Sequence, residues 1–132
     1  MQRATASEVS KVKPIGAVSW NSCSPSSAVP GGALPYLVGR LDICWHNIPA
    51  AAAKTRQPPS VYMRRIYVDA VVFQSSVLNL AVEVCGPDNV LYGSDYPHTI
   101  GDMVGCLARV DALAGGVRDK VRGGNAQRIF RL

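Results

Sequence analysis

The chemistry in this sequence gathers in one stretch, Asn89 to Asp102, which reads NVLYGSDYPHTIGD. An apolar run ends at Gly93 and delivers Ser94, Asp95, Tyr96, Pro97 and His98 to the segment beyond it. In parallel α/β folds, ligands meet the protein at such strand ends. An aspartate placed there can bind a hard or borderline metal ion or take part in proton transfer. The same residue type also caps turns, and the residues by themselves leave both roles open for Asp95. Cysteine chemistry has little support, because Cys23, Cys44, Cys85 and Cys106 lack the short spacing of a zinc ribbon or redox pair. Cys85 and Cys106 fall in apolar helical patterns, which predicts buried, inert thiols.

Other elements must hold that stretch in place. Residues 1–28 keep no helical or strand period. Ser22, Ser24, Pro25, Ser26 and Ser27 make a loop-like run, and only Ile15 to Trp20 suggests a short strand. Leu34, Leu37, Leu41 and Trp45 recur at helical spacing, predicting a helix over 33–46. Ala50 to Ser60, with Pro58 and Pro59, reads as a linker. Ile66 to Phe73 (IYVDAVVF) is apolar except for Asp69 and does not alternate, which suits a strand covered on both faces. Ser75 or Ser76 can cap the next helix, whose buried stripe is Val77, Leu80, Ala81 and Val84. Gly86 followed by Pro87 ends it. Val90 to Ser94 is a second buried strand. Met103, Leu107, Val110 and Ala114 mark another helix, stopped by Gly115 and Gly116. Asn125 caps a last short helix packed through Ile129 and Phe130. Strands alternating with helices of this length predict βαβ units, right-handed crossovers and a parallel sheet. Two strands cannot close a barrel.

Length and composition narrow the classes. The 132 residues fit one domain, and 48% apolar with 17% charged content excludes a disordered chain. No apolar run reaches the roughly 20 residues of a membrane-spanning helix. The N-terminus lacks the basic start, apolar middle and small-residue cleavage site of a secretory signal, so a cytoplasmic location is expected. The formal charge of +5 raises nucleic-acid binding as a reading. Arg118, Lys120, Arg122, Arg128 and Arg131 gather near the end against one acid, Asp119. They are spread around two helical segments without interleaved aromatics, which favours a solvated basic face.

The run GSDYPH after an apolar strand resembles the last barrel strand of the amidohydrolase-related proteins typified by aminocarboxymuconate-semialdehyde decarboxylase. Three more stretches agree in order and spacing. GGALPYLVGR (31–40) resembles the turn and helix after the family's sixth strand, RRIYVDAVVFQ (64–74) its seventh strand, and GGNAQRIFRL (123–132) its closing helix. The likeness covers residues 29–132 and leaves 1–28 unassigned. It implies an α/β fold, an incomplete (β/α)8 TIM barrel holding the C-terminal βα units, about strands seven and eight with flanking helices.

The resemblance also implies a site. Asp95 matches a ligand for a divalent metal, zinc or manganese, that also relays protons as a catalytic residue. Arg40 matches an arginine that binds a substrate carboxylate, in some members across a dimer interface, because a guanidinium fork fits two oxygens. A cation at a helix end, near the negative pole of the dipole, is the other reading of Arg40. His98 follows Asp95 closely enough to line the substrate pocket, although a surface position suits it equally. The departures are the family's His-x-His pair on the first strand, a metal-binding histidine on the fifth, and a catalytic histidine before the Gly-Gly pair. Only His46 and His98 are present, and Val29 stands where the last of these belongs. An intact barrel takes about 250 residues, and a catalytic metal takes about three protein ligands. The implied function is a fragment of a metal-dependent carboxy-lyase for a small unsaturated or aromatic carboxylate, inactive by itself. A hydrolase of the same superfamily and a non-catalytic truncated product are the alternatives, with a small basic nucleic-acid-binding protein far behind. The implied partners are a small carboxylate substrate and, in the intact family, a second copy, with no nucleic acid and no membrane.

Overall fold

The computed structural model describes residues 29–30 and 33–132. The expected irregular stretch 1–28, with its strand over 15–20 and Cys23, lies outside the described residues. Three short strands, β1 (Val29–Pro30), β2 (Val68–Asp69) and β3 (Val90–Leu91), form one sheet in that order. Both pairings are parallel, with Val29 opposite Val68, Val68 opposite Val90 and Asp69 opposite Leu91. β1 had no signal in the sequence pattern, because two residues carry no period.

The run around β2 is fully buried on one face only, with Tyr67, Asp69 and Val71 half-buried and Phe73 exposed, so the expected cover on both faces is not found, and the run pairs only at its centre. Val68 N–H donates to the Asn89 carbonyl (2.9 Å) and Ala70 N–H to the Leu91 carbonyl (2.8 Å). The chain then leaves the ladder, for Val71 N–H turns onto Asp69 Oδ1 (3.0 Å) and Val72 N–H onto the Ala70 carbonyl (2.8 Å). Ile66, Val68, Ala70 and Val72 are nonetheless buried. β3 is likewise shorter than the expected 90–94.

Helix α1 (Leu34–Asn47) agrees with the predicted helix to within a residue at each end. The expected linker instead contains two short helices, α2 (Pro49–Ala52) and α3 (Pro59–Tyr62), followed by a 3-10 turn over Met63–Arg65. Pro49 and Pro59 open these helices. Proline at a first helical position gives up an N–H that had no helical partner anyway.

Helix α4 (Ser75–Cys85) follows β2 without the serine cap. Gln74 takes the N-cap place, and Ser75 and Ser76 lie inside the first turn. Its fully buried stripe is Leu78, Ala81 and Cys85, one position round from the predicted one. The apolar arc of this helix is wide, so periodicity could not say which edge of it meets the sheet. Gly86 stops the helix with φ +90° and ψ 148°, a backbone shape essentially confined to glycine.

The rest is helical: α5 (Met103–Asp111), α6 (Gly115–Asp119), a π-turn over Lys120–Gly124 and α7 (Asn125–Phe130). Gly115 and Gly116 begin α6 and do not stop α5, which has already ended at Asp111. Asn125 has helical dihedrals and is not a cap. Its side chain is buried and donates to the carbonyls of Pro87 and Val90, both at 2.8 Å, which ties α7 to β3. Of the two expected packing residues Ile129 is half-buried and Phe130 exposed, and Arg128 adds a second tie by donating to the Asp88 carbonyl.

The core lies on one face of the sheet. Met63, Val68, Leu78, Val90, Val110 and Val121 form it, with Cys85 packed among them. Both predicted buried thiols, Cys85 and Cys106, are fully covered. Burial pushes the Cys85 thiol up to about 11, against a smaller opposing pull from Arg64, so it stays protonated at neutral pH. The C-terminal cations meet carboxylates: Arg118 with Asp119, Lys120 with Asp88, and Arg122 with Asp111.

Candidate functional site

Side chains alternate along a strand. Since Val68, Ala70 and Val72 enter the helix-packed core, Asp69 and Val71 belong to the opposite face of the sheet. Gly93 keeps that face open. A Cβ on Gly93 would come within 3.0 Å of Val71 Cγ2 and 3.2 Å of Asp69 Cβ. Beyond Gly93 the chain leaves the C-terminal end of β3 and enters the segment Ser94–Asp102.

That segment is a closed loop. Asp102 N–H donates to the Ser94 carbonyl (3.0 Å), His98 N–H to the Asp95 carbonyl (2.9 Å), and Gly101 N–H to the His98 carbonyl (2.8 Å). The Tyr96–Pro97 peptide bond is cis, and Asp95 takes φ +59°, a left-handed conformation that aspartate tolerates better than most residues. Asp95 is half buried, and among the described residues no hydrogen bond or ion pair engages its carboxylate. Capping falls elsewhere. The N-cap of α5 is Asp102, whose Oδ1 accepts Gly105 N–H at 2.8 Å.

The structure brings Asp95 and His98 together in this loop, with the His98 side chain exposed. Arg40 stands apart on an exposed face of α1, with no ion pair among the described residues. Sequence reasoning missed Asp102 and Arg109. An aspartate directly before the apolar period that opens with Met103 was the available signal for the first.

Gly101 is required where it stands, since a Cβ there would lie 2.9 Å from the Asp95 carbonyl oxygen and 3.0 Å from that of His98. Gly101→Ala is therefore expected to push the loop open. It should shift the amide resonances of Asp95 and His98 while lowering stability by only about 1 kcal/mol. Unmoved resonances would contradict the tight closure.

Arg109 donates to Asp102 Oδ2 at 2.8 Å and, with Gly105 N–H, holds the Asp102 carboxyl below its ordinary 3.8. A carboxyl lowered on folding adds stability that is present above its unfolded pKa. That stability is lost as pH falls through the folded value. Protection of the loop amides is thus expected to be constant at neutral pH and to fall only below about 4, where ordinary carboxylates titrate. Amide exchange measured from pH 3 to 7 checks this, and an Asp102→Asn chain should lose the dependence.

Among the described residues, no group of three or more His, Cys, Asp and Glu side chains lies close enough to hold a metal ion. These residues do not fit a complete metal centre. Asp95 offers one carboxylate at a strand end, and no group of three such donors forms around it among the described residues.

The chain belongs to the amidohydrolase family, whose model matches residues 41–132. Among curated proteins it is similar to the 2-amino-3-carboxymuconate-6-semialdehyde decarboxylase of Dictyostelium discoideum. They are 26% identical over 105 residues, covering 77% of this chain and 29% of that protein. Among solved structures it resembles the 5-carboxyvanillate decarboxylase of Sphingomonas paucimobilis, with a TM-score of 0.65 and 31% identity, over 76% of this chain and 31% of that one. The dihydroxybenzoic acid decarboxylase of a Polaromonas species shares the fold, with a TM-score of 0.58 and 24% identity, over 75% of this chain and 31% of that one. The chain thus spans less than a third of the length of each. Each of these proteins is named as a decarboxylase, and the parallel strands with intervening helices found here agree with the α/β character expected from the sequence.

Proposed function

We propose that this chain contributes the C-terminal βα units of a divalent-metal-dependent carboxy-lyase acting on a small unsaturated or aromatic carboxylate. In this reading β2 and β3 are the seventh and eighth strands of a barrel, and residues 29–132 are its C-terminal part. Asp95 is one metal ligand and the group that moves protons at the reacting carbon. Arg40 takes the substrate's carboxylate and His98 lines the pocket. The observation that carries the reading is a carboxylate unengaged among the described residues, on a closed loop at the C-terminal end of a parallel strand, where barrel enzymes place their chemistry.

Three relatives named as decarboxylases support the reaction class. In a decarboxylation the carbon–carbon bond to the carboxylate breaks, carbon dioxide leaves, and the electron pair stays on a carbon that must then gain a proton. A carboxyl at the strand end can supply it. The Polaromonas structure holds manganese and 2-nitroresorcinol, which makes manganese the first metal to test, with zinc beside it. The missing ligands must come from outside the described residues. Turnover by the 132 residues unaided is therefore not expected.

The test measures carbon dioxide release from 5-carboxyvanillate and 2,6-dihydroxybenzoate with manganese present. It compares the chain by itself with the chain co-expressed with a polypeptide supplying the first five βα units of such a barrel. Activity only in the completed barrel, lost on Asp95→Asn, is the expected result. Release by the chain unaided, or by the Asp95→Asn form, would overturn the reading.

A further inference from the structure

We infer that Asp102 and Arg109 are positioning residues whose ion pair fixes the loop that presents Asp95. The inference rests on the reading of Asp95 as a site residue, and it adds the device that orients that residue. Asp102 closes the loop through its backbone, donating its N–H to the Ser94 carbonyl at 3.0 Å. One carboxylate oxygen, Oδ1, caps α5 through Gly105 N–H. The other, Oδ2, accepts a hydrogen bond from Arg109 at 2.8 Å.

Capping needs only one oxygen and no cation. The second oxygen and the arginine therefore serve something else. Arg109 also donates to Cys106 Sγ at 3.4 Å and lies over the Phe73 ring, its guanidinium carbon 5.8 Å from the ring centre. Phe73 belongs to the segment leaving β2, so one guanidinium ties the loop after β3 to the segment after β2.

Two further observations mark this as a built arrangement. A Cβ on Gly105 would sit 1.9 Å from Asp102 Oδ2, so any side chain at position 105 expels the carboxylate. Glycine weakens a helix, and here it is what lets Asp102 reach both partners. The Arg109 Nε is buried without a hydrogen-bond partner. A donor left without a partner among the described residues opposes burial, so Arg109 is held in place by its bonds to Asp102 and Cys106.

The test reads amide hydrogen exchange in the 132-residue chain at His98 and Gly101, whose N–H groups close the loop, and at Cys85 in the core. Asp102→Asn is expected to speed exchange at His98 and Gly101 roughly three- to tenfold, as befits a partly exposed charge pair. It should move the Asp95 amide resonance and leave Cys85 exchange unchanged, with the melting temperature lowered only slightly, as losing one partly exposed charge pair requires. Arg109→Met should behave alike, with Arg109→Lys in between. Asparagine caps helices as well as aspartate does. Wild-type loop exchange in Asp102→Asn would therefore reduce Asp102 to a cap and overturn the inference. Faster exchange at Cys85 as well as in the loop would also overturn it, by making the pair a general stabiliser. Should Arg109→Met fail to fold, Asp102→Asn carries the test. None of these readouts depends on what Asp95 binds. Failure of the Asp95 reading would appear separately, as carbon dioxide release by Asp95→Asn in a completed barrel.

Discussion

Asp95→Asn is expected to cut carbon dioxide release by a completed barrel at least about 100-fold, the upper end of what losing a partner that merely orients a metal ligand costs. The substitution keeps the size and shape of the side chain and removes its charge. An amide oxygen is a neutral, weaker donor, and an amide cannot give up a proton near neutral pH as a carboxyl can. Backbone geometry should survive, since Asp95 holds the loop through its carbonyl and asparagine tolerates φ +59° as aspartate does. The measurement is kcat/KM together with manganese content, and loss of both is the expected outcome. A rate and metal content within twofold of wild type would remove Asp95 from the site.

Asn125→Asp should have the largest effect on folding. Asn125 is 1% exposed, and its Nδ2 donates to two carbonyls, those of Pro87 and Val90. A carboxylate there would face two oxygens with no proton to offer. Burying an unpaired charge costs several kcal/mol, against a total stability of about 5–15 kcal/mol for a domain. The new carboxyl would have a raised folded pKa. Stability is then kept below the unfolded value of about 4 and lost as pH rises through the folded one. A protonated acid can serve one of the two carbonyls. Urea unfolding from pH 3 to 8 should find the variant close to wild type at the acid end and largely unfolded at neutral pH. Asn125→Ala should lose about 1–3 kcal/mol with no pH dependence. Equal urea midpoints for Asn125→Asp at both ends of the range would contradict this.

The elements that were legible are those whose signal is local. Ile66–Phe73 and Val90–Ser94 are short apolar runs, the second preceded by Gly86 and Pro87, and both supply strands of a parallel sheet. Gly86 was readable because few other residues can take the dihedrals observed there. The placing of Asp95 at the end of β3 followed directly from that strand. What was missed depends on context. Pro59 and Gly115 read as breakers but open short helices, because the same residue can end one helix or start another according to where the next turn packs. Asn125 reads as a cap, yet its partners lie 35 and 38 positions away, beyond any local rule. The ion pair of Asp102 with Arg109 was out of reach for a similar reason. Seven positions separate the two, and their meeting depends on a glycine between them leaving room.

The pairing order of the sheet sets an order of assembly. Val68 reaches Val90 across one helix, α4, whereas Val29 must reach Val68 across α1, α2, α3 and a 3-10 turn. Closing the longer excursion loses more chain entropy, and non-local contacts form more slowly. The unit β2–α4–β3 is therefore expected to form first, with β1 expected to join late and detach first. Each detachment bares the N–H and C=O row of β2, an edge that another extended segment can occupy. β3 is the opposite edge of the three described strands, so the loop that carries the chemistry hangs from a second edge open to the same kind of pairing.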